Sequence, residues 1–498
     1  MSDLETYRRA AKVLKKAFHA GDAQALATLR AHVVTAEPKH SDFLHAIARE
    51  AGAESWPKLK HALELAGLTR EEQMRRLMHA SIFGHGWRID QLLAQDPGLA
   101  RGSMALATAL YRRADVARML EKDPTAATRV EGIRSPILTL AFSRYHAVAP
   151  AARDDMLAIA EMLLDRGADV NDSYQPEPNS PHRLSALYGA IGHSRNLPLA
   201  RWLLEHGAAT DDDESLYHST EMGHAEGLRL LLGHGARVSG TNALPRAIDF
   251  KDAEMVRLLL EHGANPDEAV EDHPSGEPID SIPALHHAAR RWAGADVAAL
   301  LLDHGADATR VWHGHTPYAT ARIYGNAEVA QFLASRGHAT PLDPLEQALA
   351  ACAEGRPAPR IDGSALSCAD REIMAQVVLE KDRLYHLRAL VEAGLDINAP
   401  DYMGMTPLHF AVWGGLPEQT AFLLTRNPDL DHVNKYGGDT FGTLIHGADN
   451  RTDTAERDHI ACADLLFAAG LRPTPVQLRG TGYEPLARHL EDRIAELS

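Results

Sequence analysis

The 498-residue sequence predicts an all-α solenoid of stacked helix pairs, and three observations carry that prediction. Hydrophobic residues make up 45% of the chain but aromatic ones only 6%, so alanine and leucine, both strong helix formers, must supply the core. A short phrase recurs: leucine, a second apolar residue, two variable residues, then glycine. Upstream of several copies stands a hydroxyl residue followed by proline, the mark of a helix start.

The phrase appears as Leu163-Leu164 with Gly167, Leu203-Leu204 with Gly207, Leu231-Leu232 with Gly235 and Leu259-Leu260 with Gly263. It continues as Leu301-Leu302 with Gly305, Leu333-Ala334 with Gly337, Leu390-Val391 with Gly394 and Leu466-Phe467 with Gly470. A ninth copy, Leu423-Leu424, has Asn427 at the glycine position. Ile159 and Leu163, Leu199 and Leu203, Val297 and Leu301, and Val329 and Leu333 are four apart, hence on one helical face. Glycine takes the left-handed conformation past a helix end without a Cβ penalty, and asparagine is the next most tolerant. Each copy therefore reads as the second helix of a pair with its stop signal. Ser135-Pro136, Thr316-Pro317 and Thr406-Pro407 cap the shorter first helices. Turn residues such as Asp401-Tyr402-Met403-Gly404 precede them.

The run Gly404-Met405-Thr406-Pro407-Leu408-His409-Phe410-Ala411 resembles the signature of the ankyrin-repeat family, as does Gly314-His315-Thr316-Pro317 with Tyr318-Ala319. The endings Glu205-His206-Gly207-Ala208, Glu261-His262-Gly263-Ala264 and Asp303-His304-Gly305-Ala306 are similar to that family's second-helix close. The resemblance implies short hairpin fingers, repeat-to-repeat stacking and a binding role. Successive turn residues lie 28 to 57 residues apart, against a family period near 33. Short spacings predict units without a finger, and long ones predict insertions at roughly 171–184, 265–282 and 341–380.

The resulting organisation is an N-terminal helical cap over 1–70 and degenerate ankyrin-like repeats over 71–154, where Leu92 and Leu120 end at Asp-Pro instead of glycine. Ankyrin repeats follow over 155–340, an irregular helical linker over 341–380, C-terminal repeats over 381–475 and a capping helix over 476–498. The run Ser55-Trp56-Pro57 is similar to segments found ahead of bacterial ankyrin arrays.

The net charge of −17 offers no basic stripe for phosphates, so no nucleic-acid partner is expected. No signal-peptide pattern or bilayer-spanning apolar run appears, which predicts a cytoplasmic chain without a membrane span. Cys352, Cys368 and Cys462 have neither metal-ligand spacing nor an even count, so they read as small buried apolar residues. Cys352→Ser is accordingly expected to leave the thermal melt almost unmoved. His206, His234, His262 and His304 sit in last helical turns, where a donor meets the free carbonyls, while His286 and His409 hold the signature's histidine position. His313-Gly314-His315 falls on a turn. No metal, cofactor or catalytic motif is found.

Two features point to binding. Trp312, Tyr402 and Tyr436 fall at or beside finger tips, with His313 and Met403 next to them, and exposed aromatics anchor interfaces unless they pack on the neighbouring finger. Acidic loops, Asp211-Asp212-Asp213-Glu214 and the stretch from Asn265 to Asp280, either steer a basic partner or simply solubilise. The expectation is a monomeric, non-catalytic scaffold that binds a protein through finger tips and the concave face of its first helices. The alternatives are an enzyme with its site in the N-terminal or 341–380 segment, and an exported, host-directed effector using the same surface.

Overall fold

A computed structural model describes residues 3–33, 35, 38–176, 182–268, 282–450, 457–481 and 483–497. The described chain is all-α apart from one antiparallel hairpin, in which Ser173–Tyr174 pairs with Leu184–Ser185. It divides into two compact units. One comprises Gly67–Ala321 and Asn326–Thr340, the other Met1–Ala66, Arg322–Gly325 and Pro341–Ser498.

The first of these units is a run of helix pairs, among them Met104–Ala109 with Arg113–Lys122, Ala243–Asp249 with Ala253–Glu261, and Ala284–Arg290 with Ala295–Asp303. No single pair can bury its apolar face alone, and here neighbours share one hydrophobic core that runs without a break from Ile82 to Leu333.

The phrase read from sequence is the mechanical joint. All nine of its leucines are fully buried, and all nine turn residues, Asn427 included, adopt positive φ. At Gly207 the N–H of Ala208 donates to the carbonyl of Leu203 (3.0 Å) and that of Gly207 to the carbonyl of Leu204 (3.1 Å). The same double bond closes the helix at Gly167, Gly235, Gly263, Gly305, Gly337, Gly394 and Gly470. It satisfies carbonyls that a helix end otherwise leaves open. Leu92 and Leu120 occupy the same buried position, but their helices leave through extended Asp96 and Asp123 instead of a left-handed residue.

First helices start as expected. Ser135, Thr316 and Thr406 each accept a backbone N–H three residues on, ahead of Pro136, Pro317 and Pro407. The fingers are minimal, with single antiparallel bridges at Glu131–Arg134 and Trp312–His315. Among the described residues no strand or bridge falls between 208 and 262, where the spacing is shortest. The long spacing at 171–184 carries the hairpin, whereas most of the predicted 265–282 insertion lies outside the described residues.

In the other unit, Phe43, Trp56 and Leu59 anchor a small core under the helices Asp3–His19, His40–Glu50 and Trp56–Ala66. The helix His40–Glu50 packs on Glu484–Leu497, and Lys60 pairs with Glu491 at 2.7 Å. The helix Pro344–Ala353, whose start is closed reciprocally by Asp343 and Glu346, packs on Leu384–Glu392.

Leu301→Ala should cost about 2–5 kcal/mol by leaving a cavity in the shared core. Gly305→Ala meets no atom within 4 Å, so its cost is backbone strain alone at φ 93°, about 1–2 kcal/mol. The sequence expectation for Cys352→Ser is corrected: Cys352 is wholly buried and burial pushes its thiol up to about 11. A serine hydroxyl there would lose its water, costing about 1–3 kcal/mol. Denaturant titrations of the three variants check the ranking.

Candidate functional site

The sequence-derived residues divide between the units. Tyr402, Met403 and Tyr436 come together on adjacent fingers of the unit that holds the C-terminal repeats. Asp401 accepts the N–H groups of Met403 (3.0 Å) and Met405 (2.7 Å), which sets the first turn. Asn434 does the same for Tyr436 (3.0 Å) and Gly438 (2.9 Å). The N–H of Lys435 donates to the carbonyl of Met403 at 3.0 Å, tying one finger to the next. A Cβ at Gly404 would stand 3.2 Å from that nitrogen, and Gly404 is at φ 75°, so the close approach needs glycine. Tyr402 is 37% and Tyr436 75% exposed.

Trp312 and His313 belong to the other unit. Trp312 is half-buried, its ring 6.1 Å from His286 and 5.7 Å from the Arg290 guanidinium. Part of its surface is therefore committed to the neighbouring repeat. His313 is exposed with φ 46°. Sequence reading missed the aliphatic members of the set. Val130, Ile133, Val311 and Val433 also project from finger regions, so that six of the twelve exposed large apolar residues among the described ones lie there. Their signal was available: a β-branched residue beside a turn is out of place unless it is covered.

The described acidic-loop residues are structural. Asp211 accepts the N–H of Arg237, Asp212 those of Glu214 and Ser215, and Glu214 is buried. Asp267 caps the N–H of Asp307, and Glu268 those of Gly240 and the Ser239 hydroxyl. The remaining acidic residues of the 265–280 stretch lie outside the described residues.

Glu214 begins a ladder along successive first helices. His182 (2.5 Å) and His218 (2.9 Å) pair with Glu214, and the other nitrogen of His218 bonds Glu221 at 2.9 Å. Arg246 spans Glu221 (2.7 Å) and Asp249 (3.2 Å), and Asp249 accepts from His287 at 2.7 Å. Burial opposes a charge on His218, but its two carboxylate bonds outweigh it and lift the pKa to about 9. Burial takes His287 down to about 4 despite Asp249. Burial would raise Asp249, yet Arg291 and His287 hold it well below the usual carboxylate range. Both nitrogens of His287 are engaged, since Nδ1 accepts from Arg290 Nε at 3.2 Å, which leaves neither to take a proton from a substrate. The ladder matches repeat to repeat by charge.

The last-turn histidines behave as read. Nδ1 of His206, His234, His262 and His304 donates to the carbonyl four residues back, at 2.7–2.9 Å. Among the described residues no group of His, Cys, Asp and Glu could hold a metal ion, and no helix is long and apolar enough to cross a membrane.

Comparison with known proteins agrees with the fold. Family profiles described as ankyrin repeats match residues 186–270, 247–343 and 375–425. The chain is also similar to protein phosphatase 1 regulatory subunit 12A of Mus musculus and of Rattus norvegicus, 42% identical over 55 residues in each case. That stretch is 11% of this chain and 5% of either relative, so the likeness is to repeats, not to the whole proteins.

The histidines give stability two pH limits. The contribution tied to charged His218 is complete below pH 6.5 and is lost as pH rises through about 9. That tied to neutral His193, His286, His287 and His409 is complete above 6.5 and is lost as pH falls to about 4. Melting temperature should therefore fall on both sides, and His218→Gln should flatten only the alkaline side in melts across that range.

Proposed function

We propose that this chain, which carries ankyrin repeats within 186–343 and 375–425, is a non-catalytic scaffold that binds a protein partner through its finger tips and the face of its first helices. The observation that carries the reading is the concentration of exposed large apolar side chains on the fingers, where nothing in local folding calls for them. Apolar side chains, and aromatic ones above all, contribute most of an interface's energy when a partner covers them. The name of the relatives, a regulatory subunit, supports a role exercised through binding.

Tyr402, Met403 and Tyr436 form one contact patch in this reading, and Trp312 with His313 a second. The first patch is the stronger anchor, because Trp312 already spends part of its ring on Arg290 and His286. We place the chain in the cytoplasm as a monomer, with a protein and not a nucleic acid as its partner. The net charge of −17 supports the last point.

Affinity purification from matched lysates, with quantitative mass spectrometry, tests the scheme. Tyr402→Ala combined with Tyr436→Ala should cut recovery of the specific partner at least about tenfold with the melt unchanged. Trp312→Ala should have the smaller effect on recovery and lower the melt. Full retention by the tyrosine double variant would reject the finger patch.

A further inference from the structure

The helices Arg70–Phe83 and Pro136–Phe142 and the π-helical turn Gly189–His193 border a cavity of about 420 Å³. That is the scale of a small-molecule site. Its walls are aromatic. The Phe142 ring stands 5.3 Å from Tyr174, 5.8 Å from Tyr188 and 5.2 Å from His193, and exposed Phe83 closes one side, 5.8 Å from His193.

Glycine makes this packing possible. A Cβ on Gly189 would come within 2.5 Å of the Phe142 ring, and one on Gly192 within 2.5 Å of Tyr188. The wider π turn that holds these glycines sets Tyr188 and His193 on the cavity wall, and such turns concentrate at functional sites.

Charge decides what the cavity suits. Arg75 and Arg134 line it, and among the described residues no carboxylate does, although the chain carries seventeen more negative than positive charges. The Arg134 guanidinium lies 4.6 Å and 4.5 Å from the ring centres of Phe142 and Tyr174 and donates to the Tyr174 hydroxyl at 2.6 Å. Its Nε is buried with no hydrogen-bond acceptor. Behind His193, Arg144 donates to that residue's carbonyl at 2.9 Å, and burial with the nearby Arg195 lowers its pKa. Several other arginines of the unit, such as Arg129, Arg229, Arg246 and Arg257, meet carboxylates. Arg134 donates instead to a phenol, the Tyr174 hydroxyl, while Arg75 acts on Glu72 of its own helix. Guanidinium groups favour planar carboxylates, while the rings and Met78, Ile82 and Leu184 offer a flat apolar bed.

We propose that this cavity binds an aromatic carboxylate, with its ring against Phe83 and Tyr188 and its acid group on Arg134 and Arg75. The shared chemistry covers both a free small acid and the C-terminal residue of a peptide that ends in an aromatic side chain. The proposed site shares no residue with the finger patches, and its assignment does not depend on them.

Isothermal titration of the full chain with indole-3-propionate and its amide, and with a tetrapeptide ending in tryptophan as acid and as amide, tests the proposal. At least one acid should bind at least tenfold more tightly than its amide. Binding of the peptide acid alone identifies a chain terminus, whereas binding of both acids identifies a site for the small acid itself. Arg134→Gln and Phe83→Ala should each weaken binding at least tenfold, and Arg75→Gln, at an exposed position, should weaken it without altering the melt. Absence of binding by either acid at about 5 mM, equal binding of acids and amides, or unchanged affinity in both arginine variants would overturn the assignment.

Discussion

A single joint governs this architecture: a buried leucine whose carbonyl accepts a backbone N–H from beyond a left-handed residue. The leucine and the turn are two ends of one device. Burial fixes the helix against its neighbour, and the double bond at Gly207, Gly263 or Gly305 fixes where the chain leaves that helix. Because the exit direction is set locally, each pair presents its apolar stripe to the next in the same sense. A core continuous from Ile82 to Leu333 can then form from short helices that would be marginal alone.

Much of this was legible in the sequence because the joint is local. Glycine after a fixed leucine, and proline after a hydroxyl, state backbone conformations that no distant contact needs to supply. Asn427 shows how far the logic extends, since it takes φ 55° in place of glycine. The ladder from Glu214 to His287 was only partly legible: His218 pairs with Glu214 and Glu221, and Arg246 with Asp249, at local spacings, whereas Arg246–Glu221 and His287–Asp249 meet only through stacking. The acidic run Asp211–Glu214 illustrates the limit. In one dimension it is a block of charge, while in three dimensions its members bond backbone donors and histidines. The half-burial of Trp312 was not legible either, because it depends on Arg290 and His286 in a preceding repeat.

The histidines show one residue type put to three uses. At helix ends the ring adds a second donor, as Nδ1 of His262 does at the Leu258 carbonyl that its own backbone N–H already reaches at 3.2 Å. Between repeats His218 carries a charge that two carboxylates require. In the core His286 stays neutral and bonds the carbonyl of His315 across a finger. For the buried rings the number of carboxylates within reach decides: two keep His218 charged, while one leaves His287 neutral.

The pairing of Lys60 with Glu491, and of the helix His40–Glu50 with Glu484–Leu497, has a consequence for synthesis. Residues 1–66 share a unit with 341–498, and most of the other unit is encoded between them. On a ribosome the interior segment emerges whole and can condense while its flanks are still incomplete. The opening helices can close their own core of Phe43, Trp56 and Leu59, but the face of His40–Glu50 that takes Glu484–Leu497 stays uncovered until that helix is made.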